Sequence, residues 1–361
     1  MAAVEAGATA KVAISENKRG HRKFDTYDLP DWVQHPLKEQ PAKAALLFPG
    51  EQNHAVGMFA ESSERPAVRR MLDAASNALG LDVEELALAG PAKDMVPARI
   101  NQPLMYLAGC AAFEVAKELH PDMAFRCQAV AGFGIGEVTA LYAAGVVSFD
   151  QGLQIARVRG EALQDFSDQS ATAALIVRGT TVERLDQAIK SVAKQNSALA
   201  GQVHIARHDF PGGFLCAGSR EAVRVLHETV AGQGVEARVL PDLPAAYTPL
   251  AKEAAAKVAA TIRAMAPRMR PPRCDLFLNR TGLRVRRGRS PASFADELAA
   301  QLEAPILWSD CITEMLRWGV RAFLECGPNR SLKYMLSRHT LGLECPPELL
   351  TPVDFTENVA A

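Results

Sequence analysis

The chain has 361 residues, of which 48% are hydrophobic and 22% are charged, and its formal net charge is −1. This composition is typical of a globular protein, and a charge near zero argues against nucleic-acid binding by the whole surface. The length suits one large α/β domain or two domains, and no apolar run approaches the ~20 residues that span a bilayer.

An extension precedes the first predicted strand. Residues 1–43 contain a basic cluster at 18–23 and a turn-rich stretch with Tyr27 and Trp32. Basic and aromatic side chains on a turn-rich segment suit docking on a partner surface. The first buried strand is then predicted at 44–48, because an apolar run there is followed directly by Pro-Gly.

The next part of the chain combines helices with a second buried strand. Apolar residues recur at helical spacing over 65–79 and 102–119, and this period predicts two helices. A short apolar strand at 128–131 then runs into a glycine-rich turn and an apolar helix, and another helix is predicted over 149–165. Alternating strands and helices of this kind predict a mostly parallel sheet flanked by helices.

The turn after the strand at 128–131 has the layout of a nucleophile elbow, in which Gly-x-Ser-x-Gly holds a serine between strand and helix. The flanking glycines, Gly132 and Gly136, are present, but Gly134 occupies the position of the serine. Glycine has no side-chain atom that can attack a carbonyl. The sequence therefore predicts a turn built for a nucleophile that it does not carry.

The segment that follows, 172–240, has a different pattern of predicted strands and helices. Its pattern predicts the order β-α-β-β-α-β, which is the ferredoxin-like arrangement, with a hairpin turn at 211–213. We expect an inserted α+β subdomain here, inside a larger domain of residues 44–171 and 241–340. In the second part of this larger domain we predict a helix at 249–264, a strand at 276–279, a helix at 294–302 and a strand-turn-helix at 320–338. A tail at 341–361 follows.

Several motifs in the same order resemble the malonyl-CoA:acyl-carrier-protein transacylase family and the acyltransferase domains of polyketide synthases. The resemblance covers roughly residues 44–340. The motif-bearing segments are 48–58, 101–103, 132–137, 159–160, 205–218, 246–250, 279–282, 301–308 and 325–328. The resemblance implies an α/β, acyltransferase or hydrolase-like fold, no cofactor, and malonyl-CoA or another acyl-CoA as ligand.

The departures from the family pattern fall on the chemistry. The resemblance implies a serine that attacks the thioester, a histidine base and two backbone amides that hold the oxyanion. Gly134 stands at the serine position and Tyr247 at the base position, so neither catalytic residue is intact. Tyrosine, with a pKa near ~10, is a poor general base at neutral pH. The amides of Glu51 and Ile135 would form the oxyanion hole, although an ionised Glu51 would oppose a developing negative charge.

Binding residues are better preserved than catalytic ones. The resemblance implies that Arg159 binds the malonyl carboxylate, a role that suits its planar fork, with Gln102 and Gln301 beside it. We expect a pocket that binds malonyl-CoA, acyl-CoA or malonate without turnover, and no metal site. A structural ion pair between Arg159 and Glu137 is the alternative.

Four other residues are candidates for a replacement nucleophile or base. Thr139 lies in the helix after the turn, His54 in the first loop, His208 in a variable position of the insert, and Cys127 before the elbow strand. A nucleophile must lie within hydrogen-bond reach of its base, and nothing in the spacing of these residues indicates that. We therefore expect none of them to restore thioester exchange.

Eight arginines lie close together between 268 and 289, at 268, 270, 273, 280, 284, 286, 287 and 289. With the cluster at 18–23 they predict positive faces on an otherwise balanced protein, or simply a solvated basic loop. An acidic acyl carrier protein is the partner that the resemblance implies, and RNA or a larger assembly is the competing class.

Seven scattered cysteines without a Cys-x-x-Cys pair favour free thiols in a reducing compartment, the cytoplasm or an organelle such as a plastid or mitochondrion. The leading interpretation is a non-catalytic relative of malonyl transacylase that acts as a binding or structural component, through acyl carrier protein or in a multi-protein complex. One alternative is an active S-malonyl or acyl transferase with a rearranged nucleophile. Another is a scaffold subunit of an RNA-containing or membrane-apposed assembly.

Overall fold

The computed structural model describes residues 43–121, 124, 127–341 and 347–350, together with two short strands, Ile14–Glu16 (β1) and Arg22–Phe24 (β2), which pair antiparallel. The rest of the predicted extension, including Tyr27 and Trp32, lies outside the described residues. So do most of the basic cluster at 18–23 and most of the tail at 341–361.

The main sheet has six strands in the order β10-β9-β4-β3-β11-β12. Five of them run parallel, and only the edge strand β10 is antiparallel to its neighbour. Its strands are Lys43–Phe48 (β3), Ala129–Gly132 (β4), Asp275–Phe277 (β9), Arg284–Val285 (β10), Val320–Glu325 (β11) and Glu348–Leu350 (β12). The central strands read as continuous apolar runs because helices cover both faces of a parallel sheet. The predicted mostly parallel sheet is confirmed.

Nine helices surround this sheet in the described part of the chain. They are Pro66–Leu79 (α1), Val83–Ala89 (α2), Ala98–Leu119 (α3), Gly136–Ala143 (α4), Phe149–Gln169 (α5), Lys252–Met265 (α8), Ala295–Ala299 (α9), Trp308–Arg317 (α10) and Ser331–His339 (α11). Local signals set their ends: Asp82 caps α2, and Ser148 forms a reciprocal capping box with Gln151 at the start of α5. No helix among the described residues is long and apolar enough to cross a bilayer.

A second sheet of four antiparallel strands has the order β6-β7-β5-β8. Its strands are Thr172–Arg178 (β5), Val203–Phe210 (β6), Gly213–Ser219 (β7) and Glu236–Pro241 (β8), and its helices are Val182–Gln195 (α6) and Arg220–Val230 (α7). This order confirms the predicted ferredoxin-like subdomain. The apolar side chains between this sheet and its two helices form a cluster of their own, while a few on its strands, such as Ala174 and Leu215, belong to the large core. We propose on this basis that 172–240 is an insert in a domain of 44–171 and 241–340.

The predicted elements differ from the observed ones mainly where helices are short. The helix expected at 294–302 is divided into α9 and a 3-10 turn, Gln301–Glu303, and the one expected from 249 begins with the 3-10 turn Pro249–Ala251. Helices α2 and α10 were not predicted. Both are short, seven and ten residues, so each shows few repeats of the helical period.

Candidate functional site

The turn between β4 and α4 lies at the carboxyl end of a central strand, the position predicted for an elbow. Gly134 has φ of +58°, in the left-handed region. Its neighbours are glycines for packing reasons, because a Cβ at Gly136 would overlap the carbonyl oxygen of Phe48 and one at Gly132 would overlap the backbone of Gly136. The geometry of a nucleophile elbow is therefore kept although the nucleophile is absent.

Asn279 fixes this turn from the neighbouring strand end. Its side chain accepts a hydrogen bond from the amide of Gly134 at 2.8 Å and donates one to the carbonyl of Gly132 at 2.5 Å. Its own amide donates to Oε1 of Glu137 at 2.6 Å. Asn279 is completely buried, so water cannot replace these bonds. The sequence motif at 279–282 pointed to this residue, but its anchoring role was not predicted.

The space above Gly134 is already filled by other side chains. A Cβ built on this glycine would lie 2.7 Å from the hydroxyl of Tyr247 and would overlap Oε2 of Glu51. These two side chains therefore stand where a serine side chain would project. Any residue larger than glycine at this position must displace at least the Glu51 carboxylate.

Tyr247 links a buried cation to a carboxylate. Nη2 of Arg159 donates to the Tyr247 hydroxyl at 2.5 Å, and that hydroxyl donates to Oε1 of Glu51 at 2.5 Å. The other oxygen of Glu51 accepts from the amide of Ile135 at 3.2 Å. The phenol donates one bond and accepts another, so it bridges two groups of opposite charge.

Tyr247 is poorly suited to act as a base in this position. It is buried, and burial raises the pKa of its phenol well above the usual value, so the hydroxyl keeps its proton. Its backbone is held in the left-handed region, with φ of +63°, by a bond from its amide to the carbonyl of Leu302 at 2.7 Å. A non-glycine residue with this conformation is uncommon, and here the surrounding structure fixes it.

Arg159 binds both glutamines that were predicted to lie beside it, so the three residues predicted for carboxylate binding lie together. Its side chain is buried, its Nε donates to Oε1 of Gln102 at 2.7 Å, and its Nη1 donates to Oε1 of Gln301. Gln301 in turn donates to the carbonyl of Gly134 at 3.0 Å. The guanidinium group of Arg159 thus binds two amide oxygens and a phenol, and all three of these groups are formally neutral.

The alternative of an ion pair between Arg159 and Glu137 is wrong. Among the described residues the guanidinium forms its bonds with the two glutamines and Tyr247, while the Glu137 carboxylate accepts from the Asn279 amide. Glu137 is buried, and burial raises the pKa of its carboxyl to about 7. Glu137 therefore supports the elbow through its bond to Asn279 and does not lie at the surface.

The predicted oxyanion hole is occupied by the protein itself. The amide of Ile135 faces the site as expected, but it donates to the carboxylate of Glu51. This carboxylate also lies at the start of α4, where the helix dipole favours a negative charge. The anion that the loop and helix stabilise in this structure is therefore a side chain of the first loop.

None of the four proposed replacement nucleophiles or bases lies in the described contacts of Gly134. Thr139 is buried against Gly109, and its hydroxyl forms no hydrogen bond with any described residue. His54 contacts Asn101 at 2.9 Å, and His208 stacks on Phe214. Cys127 precedes β4, so it lies at the end of the strand opposite the elbow.

A cavity of about 340 Å³ opens beside the site, against Glu51, Gln102, Tyr247 and Arg207. Arg159 is not among its lining residues and instead lines a void of about 10 Å³. The cavity is therefore adjacent to the Tyr247–Glu51 pair, while the guanidinium is separated from it. In the described residues no group of three potential metal ligands is arranged as a metal site.

Comparison with known proteins identifies relatives over most of the chain, although no protein-family model matches it. The mitochondrial malonyl-CoA-acyl carrier protein transacylase of Homo sapiens is 29% identical over 301 residues, which are 81% of this chain and 76% of the human protein. The malonyl CoA-acyl carrier protein transacylase of Haemophilus influenzae is 28% identical over 303 residues, 82% of this chain and 92% of that protein.

Solved structures agree with these relatives. The malonyl-CoA:acyl carrier protein transacylase of Xanthomonas oryzae superimposes with a TM-score of 0.76 at 25% identity, covering 86% of this chain and 95% of that one. A malonyl-transacylase solved with its type II polyketide acyl-carrier protein superimposes with a TM-score of 0.74 at 27% identity, covering 86% and 96%. The shared fold, the matching motifs and these relatives together make the chain similar to malonyl-CoA:acyl carrier protein transacylases over most of its length.

Proposed function

We propose that this chain is a catalytically degenerate member of the malonyl-CoA:acyl carrier protein transacylase family and acts as a binding or structural component. The observation that carries the proposal is the occupancy of the elbow. Gly134 supplies no nucleophile, and the hydroxyl of Tyr247 and the carboxylate of Glu51 fill the space where one would project. Thioester exchange through an acyl-enzyme needs an attacking atom at this point, within reach of a base.

The changed charge distribution also supports the loss of catalysis. An oxyanion hole stabilises negative charge that develops in the transition state. Here the Ile135 amide already binds the Glu51 carboxylate, so an incoming carbonyl would have to displace an anion. The base position offers a protonated phenol, because burial raises the pKa of Tyr247. Three changes, at Gly134, Tyr247 and Glu51, therefore act against the same reaction.

Ligand binding remains compatible with the site. The cavity of about 340 Å³ next to Tyr247 has the volume of a small-molecule site. A ligand carboxylate could reach the Arg159 fork only if Tyr247 moved, since Tyr247 occupies one of its donors. We infer that an acyl-CoA, or an acyl group on acyl carrier protein, binds in the cavity outside Tyr247, and that malonate alone binds weakly.

We infer further that the partner is an acyl carrier protein or a larger complex. The support is the family relationship, since one superimposable malonyl-transacylase was solved with its acyl-carrier protein. The compartment is proposed to be reducing, cytoplasmic or organellar. Six of the cysteines lie in the described chain as free thiols, five of them buried, and Cys345 lies outside the described residues.

A thioester-exchange assay tests this proposal. Purified protein, malonyl-CoA and acyl carrier protein carrying its thiol cofactor should give no malonyl transfer above the protein-free rate. Turnover by the wild-type protein would favour the active-transferase alternative, which fits the names of the relatives. Isothermal titration with malonyl-CoA and acetyl-CoA tests binding separately, and heat equal to that of buffer would end the binding proposal.

Restoring the family residues provides the matched variant. Gly134→Ser with Tyr247→His and Glu51→Gln supplies the nucleophile and the base and removes the carboxylate that blocks the serine. This triple variant should form an acyl-enzyme, while the double variant that keeps Gly134 should not. Equal labelling of the two variants would show that acylation occurs elsewhere.

A further inference from the structure

A second, larger cavity lies at the amino ends of the central strands, at the other end of the sheet from the elbow. It has a volume of about 720 Å³ and is formed by the end of α3, the loop from α4 into α5, the residue Cys127 before β4, and the segment that leads into β9. Parallel strands β4 and β9 begin here and end near Gly134. The cavity is therefore separate from the elbow site, and an inference about it does not depend on the proposed function.

Positive side chains dominate the lining of this cavity. Arg268, Arg270, Arg273 and Lys117 line it, and none of its lining residues in the described chain is aspartate or glutamate. Lys117 is paired with Glu114, which lies next to the cavity, so its charge is largely neutralised. The three arginines form no ion pair with any described residue. Three formal charges therefore have no acidic partner in the part of the chain that the structure describes.

The backbone holds these arginines close to the cavity. The amide of Arg270 donates to the carbonyl of Val146 at 2.9 Å, and the amide of Arg273 donates to that of Ala144 at 2.8 Å. The side chain of Arg273 also lies over Gly145, where an added Cβ would be 3.0 Å from its Nε. The segment that carries the arginines is thus fixed to the loop after α4, although their side chains are exposed.

A helix start adds to the positive potential. Ser148 and Gln151, at the start of the 21-residue helix α5, line the same cavity. Helix N-termini carry partial positive charge and favour anions. The rings of Phe113 and Tyr142 also line the cavity, where they pack edge-to-face and supply an apolar wall. The cavity therefore combines an aromatic surface with guanidinium groups that form no ion pair among the described residues.

We propose that this cavity binds a nucleotide-sized ligand through its polyphosphate group, with Arg268, Arg270 and Arg273 as the phosphate-binding residues. Guanidinium groups form strong, charge-assisted and often bidentate bonds with phosphate oxygens. The volume matches that of small-molecule sites, and a concave site of this kind suits a small ligand better than a nucleic-acid backbone. The aromatic wall is suited to the apolar part of the ligand.

Titration with ATP, inorganic tripolyphosphate and adenosine tests this proposal on the full-length protein. ATP and tripolyphosphate should both bind, more weakly as salt rises, and adenosine should not. Arg270→Ala with Arg273→Ala should weaken binding by about 100-fold, or about tenfold for each charged contact removed. Arg286→Ala with Arg287→Ala removes the same charge from exposed residues outside the cavity and should change binding little.

Three outcomes would overturn the proposal: no binding of ATP or tripolyphosphate, equal weakening by both double variants, or tighter binding of a single-stranded RNA that tripolyphosphate does not displace. Because the side chain of Arg273 packs on Gly145, a second variant avoids this contact. Arg268→Glu with Arg270→Glu changes only exposed side chains and should abolish tripolyphosphate binding at an unchanged urea midpoint. Retained binding in that variant would also contradict the proposal.

Discussion

Replacing Gly134 with alanine adds one methyl group at the centre of the site, and we expect it to destabilise the protein. The new Cβ would overlap Oε2 of Glu51 and lie 2.7 Å from the Tyr247 hydroxyl. The flexible end of Glu51 is the group that can move. Its movement breaks the bonds that it accepts from Tyr247 and from the amide of Ile135.

Two physical costs add to give the expected magnitude. A residue with a Cβ in the left-handed conformation of Gly134 costs about 1 kcal/mol. Each of the two bonds lost by the partly exposed Glu51 contributes about 1 kcal/mol more, because water replaces part of it. We therefore expect the free energy of unfolding to fall by about 3 kcal/mol, with the main share due to the two lost bonds.

Urea unfolding of Gly134→Ala measures this loss, and Gly201→Ala is the matched control. Gly201 also has positive φ, +69°, but a Cβ there would have no neighbour within 4 Å. The free energy of unfolding of the control should therefore fall only by the cost of a Cβ in the left-handed conformation, about 1 kcal/mol. In a Glu51→Ala background the cost of Gly134→Ala should fall toward that of the control. If both glycine variants lose equal stability in the wild-type background, the space above Gly134 is not filled as described.

Three further predictions concern the residues around the elbow. Arg159→Met should lower the free energy of unfolding by about 3 kcal/mol in chemical denaturation, because the buried amide oxygens of Gln102 and Gln301 lose their donor; a loss below about 1 kcal/mol would contradict this. Asn279→Ala should cost about 2–3 kcal/mol by removing both side-chain bonds to the turn, and a variant as stable as wild type would count against that anchoring role. For Glu137, burial raises the pKa in the folded protein from 4.5 to about 7, so its stabilising contribution is complete below pH 4.5 and is lost as the pH rises through about 7. Urea midpoints at acidic and alkaline pH should therefore fall less with pH in Glu137→Gln than in wild type, and parallel profiles would refute the assignment.

Much of the fold could be predicted because its signals are local. The order of strands and helices over 172–240 could be predicted, since elements such as α6 repeat their apolar residues at helical spacing over 14 residues. The strand at 44–48 was recognisable as a continuous apolar run, as expected for a strand buried on both faces. Short elements such as α2 were missed because seven residues give fewer than three turns of the period.

The composition of the site was predictable, but its connections were not. The resemblance to the transacylase family pointed to Gly134, Tyr247 and Arg159, and the structure brings them together. The bond from Tyr247 to Glu51 joins residues 196 positions apart, and the one from Arg159 to Tyr247 spans 88. No local pattern encodes such pairs. The sequence therefore predicts a pocket open to a carboxylate, whereas in the structure a chain of hydrogen-bonded side chains fills this space.

The intact mass of the wild-type protein after incubation with excess malonyl-CoA shows most directly whether the elbow site can be acylated. We expect an unchanged mass, because no nucleophile projects from the turn at Gly134 and Tyr247 keeps its proton. The Gly134→Ser, Tyr247→His, Glu51→Gln variant serves as the positive control. A hydroxylamine-sensitive malonyl adduct on the wild-type protein, mapped by peptide sequencing to a residue that lines the cavity beside Tyr247, would contradict it.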